Sequence, residues 1–271
     1  MKKKLSTAYL VIIFGILYIP ILTLIFFSFN SENSTAVFGE FSLRWYKELF
    51  NSPDTFTALR NTLILAISSA TLATVIGTAA AEGIYKMKSK LMKATINSVT
   101  NIPMMNPDIV TGVSLMLLFV AVANFFNAKQ LFGFGTMLIA HTTFNLPYAL
   151  LSITPRFNQL DKSLSEAAQD LGCTPARAFF SVELPEIIPG IVSGLMMSFT
   201  LSLDDFVISH FVSSPNFQTL PLYVYNQTVH NVKFSMYALC ALIVAIILAI
   251  LLIVNFTGSV NDKKKNKRGA N

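Results

Sequence analysis

The sequence predicts an all-α integral membrane protein with six transmembrane helices and both termini in the cytoplasm, on three observations. The first is composition. The 271 residues are 53% hydrophobic and 13% charged, with a mean hydropathy of +0.58. Soluble chains run at about half apolar and about a quarter charged. The second is length, because a hydrocarbon core about 30 Å thick takes about 20 apolar residues in a helix. Six stretches approach that length, near 8–29, 61–83, 100–122, 131–153, 187–211 and 236–257. The third is where the basic residues fall. If the spans alternate, fifteen of the 20 Lys and Arg lie on one side: Lys2, Lys3 and Lys4, then Lys86, Lys88, Lys90 and Lys93, then Arg156, Lys162 and Arg177, then Lys263, Lys264, Lys265, Lys267 and Arg268. Only Arg44, Lys47, Arg60, Lys129 and Lys233 fall on the other side, and this excess marks the cytoplasmic face.

The elements follow in chain order. The opening MKKK and the apolar run to Phe29 could be a signal peptide, but no A-x-A-like site follows, which favours an uncleaved first span. The outside loop of residues 30–60 carries Trp45, Tyr46 and Phe50, suited to an interfacial belt, a short surface helix or a docking surface. Glu82, at the inner end of span two, reads as an interfacial or subunit-contact acid. In span three, Pro103 and Pro107 remove helix donors just before Asp108, which predicts a kink or break there. His141 in span four stands beside Thr142, Thr143 and Asn145 and reads as a helix–helix hydrogen-bonding group. His141, His210 and His230 form no ligand pattern, so no metal site is expected. Cys173 and Cys240 suggest neither a metal site nor a disulfide. Span five carries Asp204 and Asp205, and a further outside loop runs from His210 to Ser235. The terminal KKKNKR suits a topology determinant on a disordered tail better than a lipid-binding patch.

The expected organisation is a first span with its outside loop (1–60), a core of five spans (61–257) and a basic cytoplasmic tail (258–271). The net charge of +6 does not argue for nucleic acid, because the basic residues sit at membrane boundaries rather than on one face.

The inside loop, residues 154–186, has more helix punctuation than a connector needs. Ser163 with Glu166 fits a capping box, and Gly172 suits the left-handed position that ends a helix. Thr174 and Pro175 form a cap and first-position pair for a second helix, which Pro185 is expected to stop. Leu164, Ala167, Ala168 and Leu171 would make an apolar stripe, free to pack on the protein's own spans or in a partner's groove. The stretch EAAQDLGCTPARAFFSVELP resembles the cytoplasmic loop of ABC importer permeases, with Glu166, Ala167, Ala168, Gly172, Val182, Leu184 and Pro185 filling every position of that pattern. The resemblance implies the all-α, MetI-like importer permease fold, with the later five spans as core and the first wrapping it. It also implies that the loop docks in a separate ATP-binding subunit. No G-x-x-x-x-G-K-[ST] phosphate loop occurs in the chain, so ATP and Mg would be bound by that partner, and this chain would be no enzyme and hold no cofactor. The implied assembly has a second permease subunit in a heterodimer, two ATP-binding subunits and an extracytoplasmic receptor, set in the bilayer of a bacterial cell (inner) membrane.

Ionisable residues inside spans are costly and point to pathways. Asp108, Asp204 and Asp205 lie in spans that contain no Lys or Arg, and three acids around a broken helix favour a cationic solute. The same acids could instead be protonated, pair with a partner's base or meet interfacial water. FSLRWYKELF, IPMMNPDIVTGVSL and SLDDFVISHF resemble the spermidine/putrescine permease family. That resemblance implies polyamine uptake, with Trp45, Asp108, Asp204 and Asp205 near the solute path, since carboxylates and aromatic faces suit chains of ammonium groups. A ferric-iron importer is compatible with the same acids. A secondary transporter would need a coupling-ion site and commonly an internal repeat, and would leave the loop unexplained. An intramembrane enzyme would need a His–Glu metal motif or a Gly-x-Ser-x-Gly turn, and neither occurs.

Overall fold

The computed structural model describes residues 2–127, 132–230, 233–246 and 248–249. Lys129, the end of the sixth expected span and the tail at 258–271 lie outside them. The helices are α1 (Lys2–Phe27), α2 (Arg44–Phe50), α3 (Pro53–Lys86), α4 (Lys90–Met105), α5 (Asp108–Phe125), α6 (Phe134–Gln159), α7 (Lys162–Asp170), α8 (Pro175–Ala178), a π turn (Phe179–Glu183), α9 (Leu184–Asp204), α10 (Val207–Val212), α11 (Leu220–His230) and α12 (Phe234–Ile246). Among the described residues, four helices are long and apolar enough to cross a membrane: Tyr9–Phe27 of α1, then α3, α5 and the continuous run Pro175–Asp204. At 26 residues, α6 is also long enough, but its polar side chains dilute its hydropathy. His141, Asn145 and Thr136 are buried in the protein, so they cost no exposure to lipid.

The chain divides into two compact units, one taking in the chain to Thr55 and from Val224, the other Phe56–Tyr223. In the first, the loop after α1 folds around Asn30, which is fully buried. Its side-chain amide donates to the Ser34 and Val37 carbonyls at 2.8 and 2.9 Å, and its Oδ1 accepts from the Gly39 and Glu32 amides at 2.8 and 3.2 Å. Its own carbonyl accepts from the Trp45 indole at 2.6 Å. The ring of Phe29 stacks on Phe41 and Tyr46.

In the second unit, α3, α6 and α9 pack through small residues, which let backbones approach closely. A Cβ at Gly194 would lie 3.4 Å from Ala149 Cα, one at Gly77 3.1 Å from Ala149 Cβ, and one at Gly190 2.6 Å from Arg156 Cγ. Apolar clusters flank this seam: Met137, Phe144 and Ile208 on one side, Ile153, Phe157 and Ile187 on the other.

Three expectations about the local structure need correction. Span five is not one helix over 187–211, because α9 ends at Asp204 and α10 begins at Val207, with Asp205 extended at ψ 120° between them. Asp205 caps the second piece, its two carboxylate oxygens accepting from the Ile208 and Ser209 amides at 3.2 and 2.8 Å. The capping box at Ser163 is not the start of α7. Asp161 caps that helix by accepting from the Ser163 amide at 3.0 Å, two residues earlier than expected. Nor does Pro185 stop the second loop helix. A π turn absorbs it, with the Leu184 amide reaching back five residues to the Phe179 carbonyl. The widened turn spaces the backbone so that a proline, lacking a donor, sits in the first turn of α9 without ending the helix.

Candidate functional site

The three acids and the tryptophan singled out from the sequence fall into different settings. Asp108 opens α5 directly after the extended Asn106 and Pro107, so the expected break in span three lies at Asn106–Pro107, while Pro103 stays helical within α4. Asp108 is exposed, as is Asp204, whereas Asp205 is partly covered and its carboxylate is only 6% exposed. Trp45 is 3% exposed, its indole committed to Asn30 and its ring 5.6 Å from Phe234. It holds the loop after α1 together rather than presenting a face to open space.

The two breaks are packed together. Gly112, one turn after Asp108 and on the same face of α5, meets α10 so closely that a Cβ there would lie 2.8 Å from Phe211 Cδ2 and 3.5 Å from Ile208 Cα. The helix that Asp108 opens therefore lies along the helix that Asp205 caps.

Behind this contact runs a buried polar network that sequence reasoning reached only in part. His141 on α6 is fully buried. Its Nδ1 lies 2.7 Å from Ser202 Oγ on α9, and its Nε2 lies 3.1 Å from Ser209 Oγ on α10 and 3.4 Å from Asp205 Oδ2. Ser69 on α3 completes it, donating to Ser202 Oγ at 3.1 Å. Placing the imidazole proton on Nε2 satisfies the whole set: Nε2–H donates toward Ser209 and Asp205, Nδ1 accepts from Ser202, and Ser202 accepts from Ser69. Four helices are thus tied at the level of the break in span five. The signals for this were the serines at 202 and 209, seven residues apart across the acids, a spacing invisible until the break is known.

The loop between α6 and α9 forms as a helix, a tight turn and a helix. Asp161, fully exposed, has its carboxyl held below the usual range by hydrogen bonds from Ser163. Gly172 takes a φ of +90°, a conformation that costs an L side chain about 1–2 kcal/mol. Thr174 caps α8 by accepting from the Arg177 amide at 3.4 Å. Along α7, Leu164 is 47% exposed and Leu171, its C-cap, 87%, with Glu166 and Ala167 exposed between them. This is the face left open rather than packed on the protein's own spans. Val182, Leu184 and Pro185 lie at the join of the π turn with α9. No group of three or more potential metal ligands exists among the described residues, and Cys173 and Cys240 are free.

The fold matches solved ABC importers at low sequence identity. A crystal structure of a bacterial ABC transporter involved in the import of the acidic polysaccharide alginate aligns with a TM-score of 0.72 at 16% identity, covering 94% of this chain and 95% of that one. An amino acid ABC transporter aligns at 0.55 and 22%, covering 78% and 96%. At sequence level, the putrescine transport system permease protein PotI of Escherichia coli K12 is 40% identical over 85% of this chain and 82% of its own length. The spermidine/putrescine transport system permease protein PotC of Haemophilus influenzae is 35% identical over 92% and 94%, and that of Escherichia coli K12 33% identical over 98% of both. Residues 73–263 match the family profile described as the inner membrane component of binding-protein-dependent transport systems. The chain, with its helical fold and the exposed loop between α6 and α9, belongs to the family of binding-protein-dependent transport system inner membrane components.

Proposed function

We propose that this chain is a membrane subunit of an ATP-driven importer that carries polyamines, putrescine or spermidine, into the cell. One observation carries the reading: exposed acids, Asp108 and Asp204, stand at breaks in two spans packed on each other, in a chain whose relatives are named putrescine and spermidine/putrescine permeases. A broken helix presents backbone carbonyls to a cavity as well as side chains, and carboxylates beside them suit a chain of ammonium groups. Six spans cross the bacterial inner membrane with both termini inside, α7 and Glu166 facing the cytoplasm. The open face of α7 docks on an ATP-binding subunit, one of two, which holds ATP and Mg. A second permease subunit and an extracytoplasmic polyamine receptor complete the assembly, and this chain does no bond chemistry. Asp205, being a helix cap, holds the path's shape, and Trp45 holds the outer loop.

The test is uptake of labelled putrescine and spermidine by liposomes holding the full complex. Asp108→Asn or Asp204→Asn is expected to reduce uptake without loss of assembly, and Glu166→Lys to abolish uptake and uncouple ATP hydrolysis from the receptor. Wild-type complexes that hydrolyse ATP in response to a receptor but take up neither polyamine would refute the solute, and failure of any ATPase to bind α7 would refute the importer role.

A further inference from the structure

The cytoplasmic end of the second unit buries a carboxylate that neither the solute path nor the motif residues account for. Glu183, in the π turn, is 5% exposed. Its Oε1 accepts from the Ser165 hydroxyl on α7 at 2.7 Å. Its Oε2 lies 3.5 Å from Nζ of Lys86, the last residue of α3, and makes no hydrogen bond of its own. Lys86 is bonded elsewhere, to Glu82 Oε1 at 2.6 Å, and stands 5.6 Å over the Phe179 ring. One ammonium therefore sits between two carboxylates, bonded to the more exposed and merely close to the buried one. A buried carboxylate oxygen without a donor is destabilising. Glutamine at 183 would keep the Ser165 bond and give up only this long ion pair with Lys86.

We propose that Glu183 is a positioning residue that couples α7 to the inner end of α3. The inference rests on the reading of α7 as the helix that docks on the ATPase. When α7 shifts on that partner, Ser165 carries Glu183 with it, and Glu183 draws Lys86 from Glu82 to itself. A charge-assisted hydrogen bond forms at about 2.8 Å, so a closure of under about 1 Å from the observed 3.5 Å completes the exchange. The cavity beside this Ser165–Glu183–Lys86 clamp, about 510 Å³ and lined by those three residues with Tyr85, Asp161 and Gln169, gives the side chains room to re-pair. The two pairings of Lys86 make this a discrete two-state element of the kind that carries coupling between sites. Along the chain, α7 leads through α8 and the π turn into α9. With the clamp it moves α3 and α9 together.

The experiment uses the complete complex in liposomes and reads receptor-stimulated against basal ATP hydrolysis. Glu183→Gln keeps an acceptor for Ser165 and removes the charge, and Ser165→Ala removes the hydroxyl link from the other end. Each is expected to lower the stimulated-to-basal ratio at least about fivefold, the low end of coupling between sites. KM for ATP should stay unchanged, and the double variant should fall no further than the deeper single. The inference is overturned if either single variant keeps its ratio within about twofold of wild type, or if the double shows the product of the two single losses. Should Glu183→Gln fail to assemble, Ser165→Ala decides by itself. A wild-type complex that shows no receptor stimulation brings down the importer reading itself, an outcome distinct from a normal wild type with unaffected variants.

Discussion

Ser202→Ala removes one oxygen atom from the centre of the buried network. Ser202 is 1% exposed, bonds His141 Nδ1 at 2.7 Å and accepts from Ser69 at 3.1 Å, so the substitution deletes two hydrogen bonds while leaving a void too small to matter. The His141 nitrogen is left without a partner. Ser69 is not, because its hydroxyl also reaches the Ala66 carbonyl at 3.4 Å. Interhelical hydrogen bonds in membranes average about 0.6 kcal/mol and reach about 1.7, whereas an orphaned buried group costs about 1–3 kcal/mol. The expected loss is therefore about 1–3 kcal/mol, read by equilibrium unfolding in lipid–detergent bicelles with helicity as the signal. Ser193→Ala on the same helix is the control. Its hydroxyl is exposed and bonds only within the helix, to the Pro189 carbonyl at 2.8 Å, so its effect should stay within about 0.5 kcal/mol. Ser69→Ala combined with Ser202→Ala should cost less than the sum of the two, since both remove the same bond. If Ser202→Ala is no worse than Ser193→Ala, the network does not join these helices energetically and the account of the site's rigidity is wrong.

Two further outcomes follow from the local geometry. Asp205→Ala removes the cap of α10 and the acid facing His141 and should destabilise the protein by about 1–2 kcal/mol. Asp204→Asn should leave the unfolding midpoint unchanged, and equal effects in that measurement would show that the cap is idle. Gly172→Val places a β-branched residue at a φ of +90°, at a cost of at least about 1–2 kcal/mol. Limited proteolysis between α7 and α8 should then speed up while the apolar spans stay protected, and an unchanged cleavage rate would refute the left-handed turn.

Much of this architecture could be read from residue types because it rests on local rules. Pro107 announces the break before Asp108, Gly172 the left-handed turn, and Thr174–Pro175 the start of α8. What escaped depends on distance in the chain. Asn30 reads as an ordinary loop residue until Trp45, fifteen positions on, is seen to bond its carbonyl. Asp205 reads as a pathway acid because a cap is recognisable only once the helix after it is known to begin at Val207. Pro185 reads as a stop because a π turn has no composition of its own. Glu183 and Phe179 within it meet Ser165 of α7 and Lys86 of α3, contacts that no pattern within the segment encodes. His141 was legible as a bonding group from its polar neighbours on α6, but its partners on α9 and α10 were not.

Because the π turn lets the chain run helical from Pro175 to Asp204, the exposed loop end and the acid end belong to one rod. It meets α6 at Gly190 and Gly194, where the absence of a Cβ lets Arg156 and the Ala149 backbone come close. At about 1.5 Å per residue, the arm from Gly194 back to Pro175 is about 28 Å and the arm forward to Asp204 about 15 Å. A rod tilting about that fulcrum is geared down roughly two to one. A displacement of about 4 Å at Pro175 would become about 2 Å at Asp204, trading distance for force where the helix is broken.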